Sequence, residues 1–517
     1  MKSNPSPSYS NEAALVPPVM SADGPAALST PVEAPRSERM QMSRSVERIL
    51  KGPLATEAAR FGFPLAIGMG LQTTFNLVDA YIIARLQGPT ATASMAAIAN
   101  CDNVAAVGTI LSYGLSIATG TIISRRHGEG DEEGVRRVAW QSLLLLLFLS
   151  LVFAAVGIFG ADFLLRDVMD AKGQVAEVGV PYLRVTMAGS GSIFLLLHLI
   201  TIQRALGSSK TPISMLVFAN AANLLLAVLL VYGPGEAPPI FAWGPPLAEM
   251  FGLPRLELEG AAWATVLARV VALVPTFFLC FHRHGLFRAA SRTAPCPRVM
   301  RRIWDVGWPT SSQLVVRILA VLAVIAFAQR GYTTDTDQGT ATALGVVLRW
   351  ETMAMFVGLG WGSASQTFMG QNLGAGNHRR AHQSGWIMMI YNAFMMGAFA
   401  LACMAWGPEM VAFFTTDAHV IQTGLEYFRW VAPSYVGLGI GIVLGSAIQG
   451  AGATRLTFLL DVAVILMFQI PACWLVVQAF GYPAETLWKM VALTYCVSAV
   501  VYVIAYRRGG FLHTELT

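Results

Sequence analysis

Charge is what this 517-residue chain has least of: 13% of its residues are Asp, Glu, Lys or Arg, about half the roughly 25% of an ordinary soluble protein. Hydrophobic residues make up 55%, and they gather in long stretches with almost no charge. Such stretches are too long for barrel strands, so they imply a polytopic helical membrane protein. Paired cysteines are also missing. Cys101, Cys280, Cys296, Cys403, Cys473 and Cys496 are scattered without a Cys-x-x-Cys pair, which excludes a disulfide framework or zinc site as an organising feature. His378 and His382 have i, i+4 spacing but no accompanying acid, so no metal is expected there. The glycine run Gly370 to Gly376 follows a helical stretch and lacks the strand–loop–helix context of a phosphate loop; it reads as a tight interhelical turn. With no nucleotide motif and no clustered catalytic set, the chain is expected to be neither an enzyme nor an ATP-driven machine, and no cofactor is called for.

Apolar runs fall at roughly 60–83, 94–122, 138–159, 178–201, 211–232, 260–281, 304–328, 341–366, 384–406, 424–448, 455–478 and 487–506. They predict an all-α membrane fold of twelve spans. The formal net charge of +5 sits in the short connections, where it signals topology rather than nucleic-acid binding. Even-numbered connections hold most of the arginines, including Arg125, Arg126, Arg204, Arg298, Arg301, Arg302 and Arg455, and both termini are basic. By the positive-inside rule both ends are cytoplasmic, which needs an even number of spans, in the plasma or inner membrane. The expected organisation is a disordered cytoplasmic tail over 1–55, a six-helix lobe over 56–281 and a basic cytoplasmic linker over 282–303. A second six-helix lobe over 304–508 and a short cytoplasmic tail over 509–517 complete it. The start of the chain lacks the apolar core of a cleavable signal. Residues 233–259, rich in Pro and Gly and net acidic, read as an extracytoplasmic loop with some local structure.

An internal repeat is legible at an offset of about 245 residues. Gly62 and Pro64 recur as Gly307 and Pro309, Gly128 and Trp140 as Gly374 and Trp386, and Tyr182 and Arg184 as Tyr427 and Arg429. Two lobes of equal polarity would be related by pseudo-two-fold symmetry along the membrane normal, an arrangement that places a transported solute between them. Inside the first span one carboxylate, Asp79, follows Gln72 and Asn76 on a shared helix face. Lipid penalises that stripe, so it should face protein or a water-filled cavity. An acid there loses much of its solvent, which moves its proton affinity toward the working pH. Asp79 is therefore the candidate proton or cation site, with Asn76 and, on the second span, Asp102 beside it.

These motifs together resemble the multidrug and toxic compound extrusion (MATE) family. The resemblance covers roughly residues 55–508 and rests on Pro64 followed by Asn76-Leu-Val-Asp-Ala-Tyr-Ile-Ile-Ala-Arg-Leu-Gln-Gly88, Gly260-Ala-Ala-Trp-Ala-Thr265, Arg349-Trp-Glu351, and Met369-Gly-Gln-Asn-Leu-Gly-Ala-Gly-Asn377. It implies a secondary exporter of cationic or amphipathic organic compounds, working by alternating access. Asp79 would couple proton entry to cargo exit, Pro64 would hinge the first span, and a monomer in the lipid bilayer is expected. Sodium coupling, or a lipid-linked precursor flippase of the same superfamily, are the alternatives. Two departures stand out. The fifth span carries Asn220 and Asn223 but no acid, which disfavours sodium, and the seventh has Arg317 where some members carry an acid.

Other polar residues also fall inside the spans. Gln72, Asn220, Asn223, His198, Arg317 and Gln366 are candidates for the substrate cavity, together with methionines such as Met355 and Met395, although His198 and Asp461 read more simply as hydrogen-bonded packing. Arg349 and Glu351, two residues apart, face different directions. Each is expected in a structural ion pair, with Arg317 the partner for Glu351.

Overall fold

The computed structural model describes residues 46–86, 91–282, 285–286, 294–334 and 339–514, and within them all regular structure is helical. Residues 46–514 belong to one compact unit; most of the N-terminal tail and much of the linker lie outside the described residues.

Twelve long elements follow the apolar runs. They are α1 (Leu54–Ala84), α2 (Ala91–Glu129), α3 (Glu132–Val168), α4 (Gly173–Ala188 and Ser190–Ala205), α5 (Lys210–Tyr232) and α6 (Glu257–His282). The second half repeats the series with α7 (Pro297–Tyr332), α8 (Gly339–Gly374), α9 (His378–Ala405), α10 (Ala418–Gly450), α11 (Thr454–Ala479) and α12 (Ala484–Arg508). Among the described residues ten helices are long and apolar enough to cross a membrane, or eleven if the two parts of α4, bent by 42°, form one span. The 31 residues of α1 reach about 46 Å at 1.5 Å per residue, enough to cross a bilayer.

Most helices overrun the apolar windows, because their ends continue as polar turns beyond the hydrophobic zone. The start of α3 shows how. Asp131 accepts from the backbone N–H of Gly134 at 2.8 Å, while Arg136 and Arg137 pair with Glu132 and Glu133 one turn earlier. Irregular turns interrupt some helices. In α11 wide π-helical turns cover Val462–Gln469 and Leu475–Ala479, immediately after Asp461. The 233–259 connection has the local structure expected of it, a 3₁₀ turn at Pro239–Phe241 and a short helix at Gly244–Met250.

The repeat reappears as reciprocal packing. α1 lies against α8, and its repeat counterpart α7 lies against α2. Where α2 meets α8 the two backbones nearly touch: a Cβ at Gly128 would sit 2.1 Å from the carbonyl oxygen of Gln371, and one at Gly374 would sit 2.0 Å from that of Arg125. Gly128 and Gly374 are repeat equivalents, so each half offers a glycine to the other's backbone. Any side chain there would part the helices. Next to this crossing, Gln371 Nε2 donates to Ala205 O at 2.8 Å and Arg204 Nη1 donates to Ser363 Oγ at 3.1 Å. The two halves of the chain are thus closed against each other at the end that carries Arg125, Arg126 and Arg455.

Candidate functional site

Asp79 lies on the α1 face turned toward α5. Lys210–Tyr232 carries Leu216, Asn220 and Asn223 at helical spacings that share a side, and α6 contributes Thr265, Ala268 and Arg269 at i, i+3 and i+4. Together with Ile193, Leu196 and Leu197 of α4 these residues and Asp79 enclose a small chamber with about 40 Å3 of free space, room for one or two waters. Asn223 Nδ2 donates to both carboxylate oxygens of Asp79, at 2.6 and 2.8 Å. The Oδ1 of the same amide is buried without a partner among the described residues. Arg269 is the cation nearest in effect: its charge and that of Asp102 both act on Asp79, and Arg269 feels both acids. No ion pair within 4 Å joins Arg269 to either acid among the described residues. Two carboxylates and one guanidinium leave the neighbourhood with one negative charge in excess when both acids are ionised.

The structure therefore brings Asp79, Asn220 and Asn223 together. Asp102 is exposed on α2 and stands outside the chamber wall. The side chains of Gln72 and Asn76 lie outside the described residues. α1 runs through Pro64 without interruption. Arg269 and Thr265 carry more of this site than their sequence context suggested. The signal was present, since Thr265 closes the Gly260-to-Thr265 motif and Arg269 follows one turn later.

Several expectations change. His198 does not line a cavity. It is fully buried, with Nδ1 3.1 Å from Ser116 Oγ and Nε2 2.9 Å from Ser142 Oγ, so it ties α2, α3 and α4 together as a packed polar group. Arg317 does not pair with Glu351. Its Nε meets Asp461 Oδ2 at 2.5 Å, and Asp461 also accepts from Gln313 Nε2 at 2.8 Å and Tyr502 OH at 2.7 Å. Glu351 accepts instead from Tyr427 OH at 2.6 Å and from Tyr495 OH. Arg349 is exposed and stands over the Phe414 ring at 5.2 Å, so among the described residues neither member of the Arg349–Glu351 motif sits in an ion pair. The reason is common to both: α8 presents its Glu351 face to α10 and α12, whose tyrosines arrive first.

Arg317 and Gln366 do border space between the halves, along with Tyr113, Gln313, Ser446 and Gln449. Gln366 is not a free wall residue, however. Its Nε2 donates to Ile117 O at 3.0 Å and to Thr121 Oγ1 at 2.9 Å, which makes it a clamp from α8 to α2. Of the methionines, Met355 lines a cavity with Arg317, Glu351 and Asp461, while Met388 and Met396 are core.

Comparison with known proteins converges on one group. A sequence model of the MatE family matches residues 64–229 and 336–475. The probable multidrug resistance protein YpnP of Bacillus subtilis (strain 168) is 24% identical over 473 residues, covering 90% of this chain and 98% of that protein. An FAD transporter of Shewanella oneidensis is 23% identical, covering 82% and 88% respectively. Among solved structures, the outward-facing conformation of a multidrug resistance MATE family transporter has the same fold, with a TM-score of 0.79, 23% identity and coverage of 90% and 98%.

Proposed function

Because the chain belongs to the MatE family, and is thus a multi-pass membrane transporter rather than an enzyme, we propose that it is a proton-coupled exporter of cationic or amphipathic organic compounds. Asp79 is its coupling group. The observation that carries this reading is the company Asp79 keeps: an amide and not a cation holds it, beside a small chamber with room for one or two waters. A carboxylate pinned by arginine would stay ionised. One held by Asn223 and watched from further off by Arg269 can give up and regain a proton.

Ionised, Asp79 and Asp102 outweigh Arg269 and make the first half attractive to a cation. Protonation of Asp79 removes that surplus, relaxes the hold on cargo and frees α1 to bend at Pro64, where one backbone hydrogen bond is already missing. The two halves, six helices each, would rock about the axis implied by the Gly128–Gly374 crossing. Both termini would face the cytoplasm.

Sodium is the second reading. It is favoured by the unpartnered Asn223 Oδ1, which with Asp79, Asn220 and Thr265 would supply oxygens to a cation. Vesicles loaded with ethidium and given separate pH and sodium gradients distinguish the two. Wild type should export under a pH gradient alone, and Asp79→Asn should lose at least about 90% of that gradient-driven rate, as expected for removal of the group that takes the proton. Undiminished pH-driven efflux in the variant would sink the proposal, and efflux that follows only sodium would transfer it to the second reading. Repeating the assay with FAD tests the cargo named for the Shewanella relative.

A further inference from the structure

A large cavity lies away from Asp79, at the arginine-rich end. It measures about 740 Å3, within the range of small-molecule sites, roughly 300–1,000 Å3. Its wall is assembled from segments far apart in the chain: Arg126 at the end of α2, Arg298, Arg301 and Arg302 in the first turns of α7, and Arg455 in the first turn of α11. One acid, Asp305, accompanies these five arginines in the wall.

Some of this charge is matched. Arg126 is bound to Asp131 at 3.0 Å, and Arg301 comes within 4.0 Å of Asp305. Arg298, Arg302 and Arg455 have no ion pair among the described residues. Arg302 is the informative one. Its Nε is buried and without a hydrogen-bond partner among the described residues. The charges acting on it include Arg126 and Arg125, which repel it, against Glu129. A guanidinium N–H shut away from water and unpaired is costly, and like charges nearby add to the cost. A bundle that merely had to fold would place a carboxylate there or leave the position apolar. The first turns of α7 and α11 also line this region, and the start of a helix carries the positive end of its dipole. Positive contributions outnumber the acids Asp131, Asp305 and Glu129 here.

We propose that this cavity binds an anion carrying two phosphate groups, gripped by Arg298 and Arg302 from one side and Arg455 from the other. Arginine suits that role because its planar fork bonds two phosphate oxygens at once. Three unmatched guanidiniums on two separate helices call for more than one negative charge, and the volume accepts two phosphates with their linker. The same chemistry is offered by a soluble diphosphate or by the headgroup of a doubly charged phospholipid entering from the adjacent leaflet. The site is independent of Asp79 and of proton coupling.

The test uses the full chain in phosphatidylcholine nanodiscs, following thermal unfolding by tryptophan fluorescence. Inorganic pyrophosphate is titrated in one arm, and cardiolipin is incorporated in the other. Tm should rise in at least one arm: with pyrophosphate the source is soluble, with cardiolipin alone it is a lipid. The double variant Arg302→Gln/Arg455→Gln should bind the active probe about tenfold more weakly yet be no less stable without it, since repulsion has been relieved. Arg429→Gln, an exposed arginine on α10, should behave as wild type. Should the double variant fail to fold, Arg298→Gln at the exposed rim must still weaken binding several-fold. No stabilisation in either arm, or equal stabilisation of wild type and the cavity variants, overturns the proposal.

Discussion

The two halves of the chain each place an acid between equivalent helices and then treat it in opposite ways. In the first half Asp79 of α1 meets Asn223 of α5; in the second, Arg317 of α7 meets Asp461 of α11. Both contacts bridge 144 residues. Asp79 stands fifteen residues after Pro64, whereas Arg317 stands eight after Pro309. A shift of seven is about two helical turns on the same face, or roughly 10 Å along the axis. The second-half acid accepts from an arginine, a glutamine and a tyrosine, and the guanidinium cancels its charge. The first-half acid has one amide and a small chamber with room for one or two waters. The difference shows how one duplicated scaffold can hold a structural acid in one copy and a chemically available acid in the other. What separates them is the partner on the facing helix.

That contrast can be broken from either side. The largest effect on stability is expected for Arg317→Met, which strands the buried Asp461. Removing one member of a buried pair costs roughly 3–5 kcal/mol, read as a lower Tm in detergent, and adding Asp461→Leu should recover most of it. A double variant no more stable than the single would mean that the pair is not what holds α7 to α11. Glu351→Gln comes next. Trading a charged acceptor for a neutral one on Tyr427 and Tyr495 should cost about 2 kcal/mol while gradient-driven efflux per folded molecule stays near wild type. A selective loss of efflux there would move coupling into the second half. The smallest stability change, about 1 kcal/mol because the freed carboxylate can be rewetted, is expected for Asn223→Ala. Its transport defect should nevertheless exceed that of Glu351→Gln. Equal transport in the two variants would erase the distinction between the halves.

Much of this was readable before any coordinates. The twelve runs became the twelve long elements, and the repeat found in Gly128 and Gly374 became a reciprocal contact. Asn220 and Asn223 turned out to face Asp79. Other assignments failed for a shared reason. Arg317 was matched with Glu351 because both were charges lacking local partners, but tyrosines from α10 and α12 reached Glu351 while Asp461 took the arginine. His198, read as hydrogen-bonded packing in preference to a cavity role, is enclosed by Ser116 and Ser142. The five-arginine cavity was visible only as scattered basic connections, since nothing in the linear order brings the starts of α7 and α11 to the end of α2.

Where the apolar cores of the helices lie, how many there are and which of them carry an acid follow from free energies of transfer that each segment experiences alone, so hydropathy and spacing were sufficient to determine them. Whether an acid is neutralised or left available depends on a side chain 144 residues away, and only the packing of one helix against another decides which side chain that is.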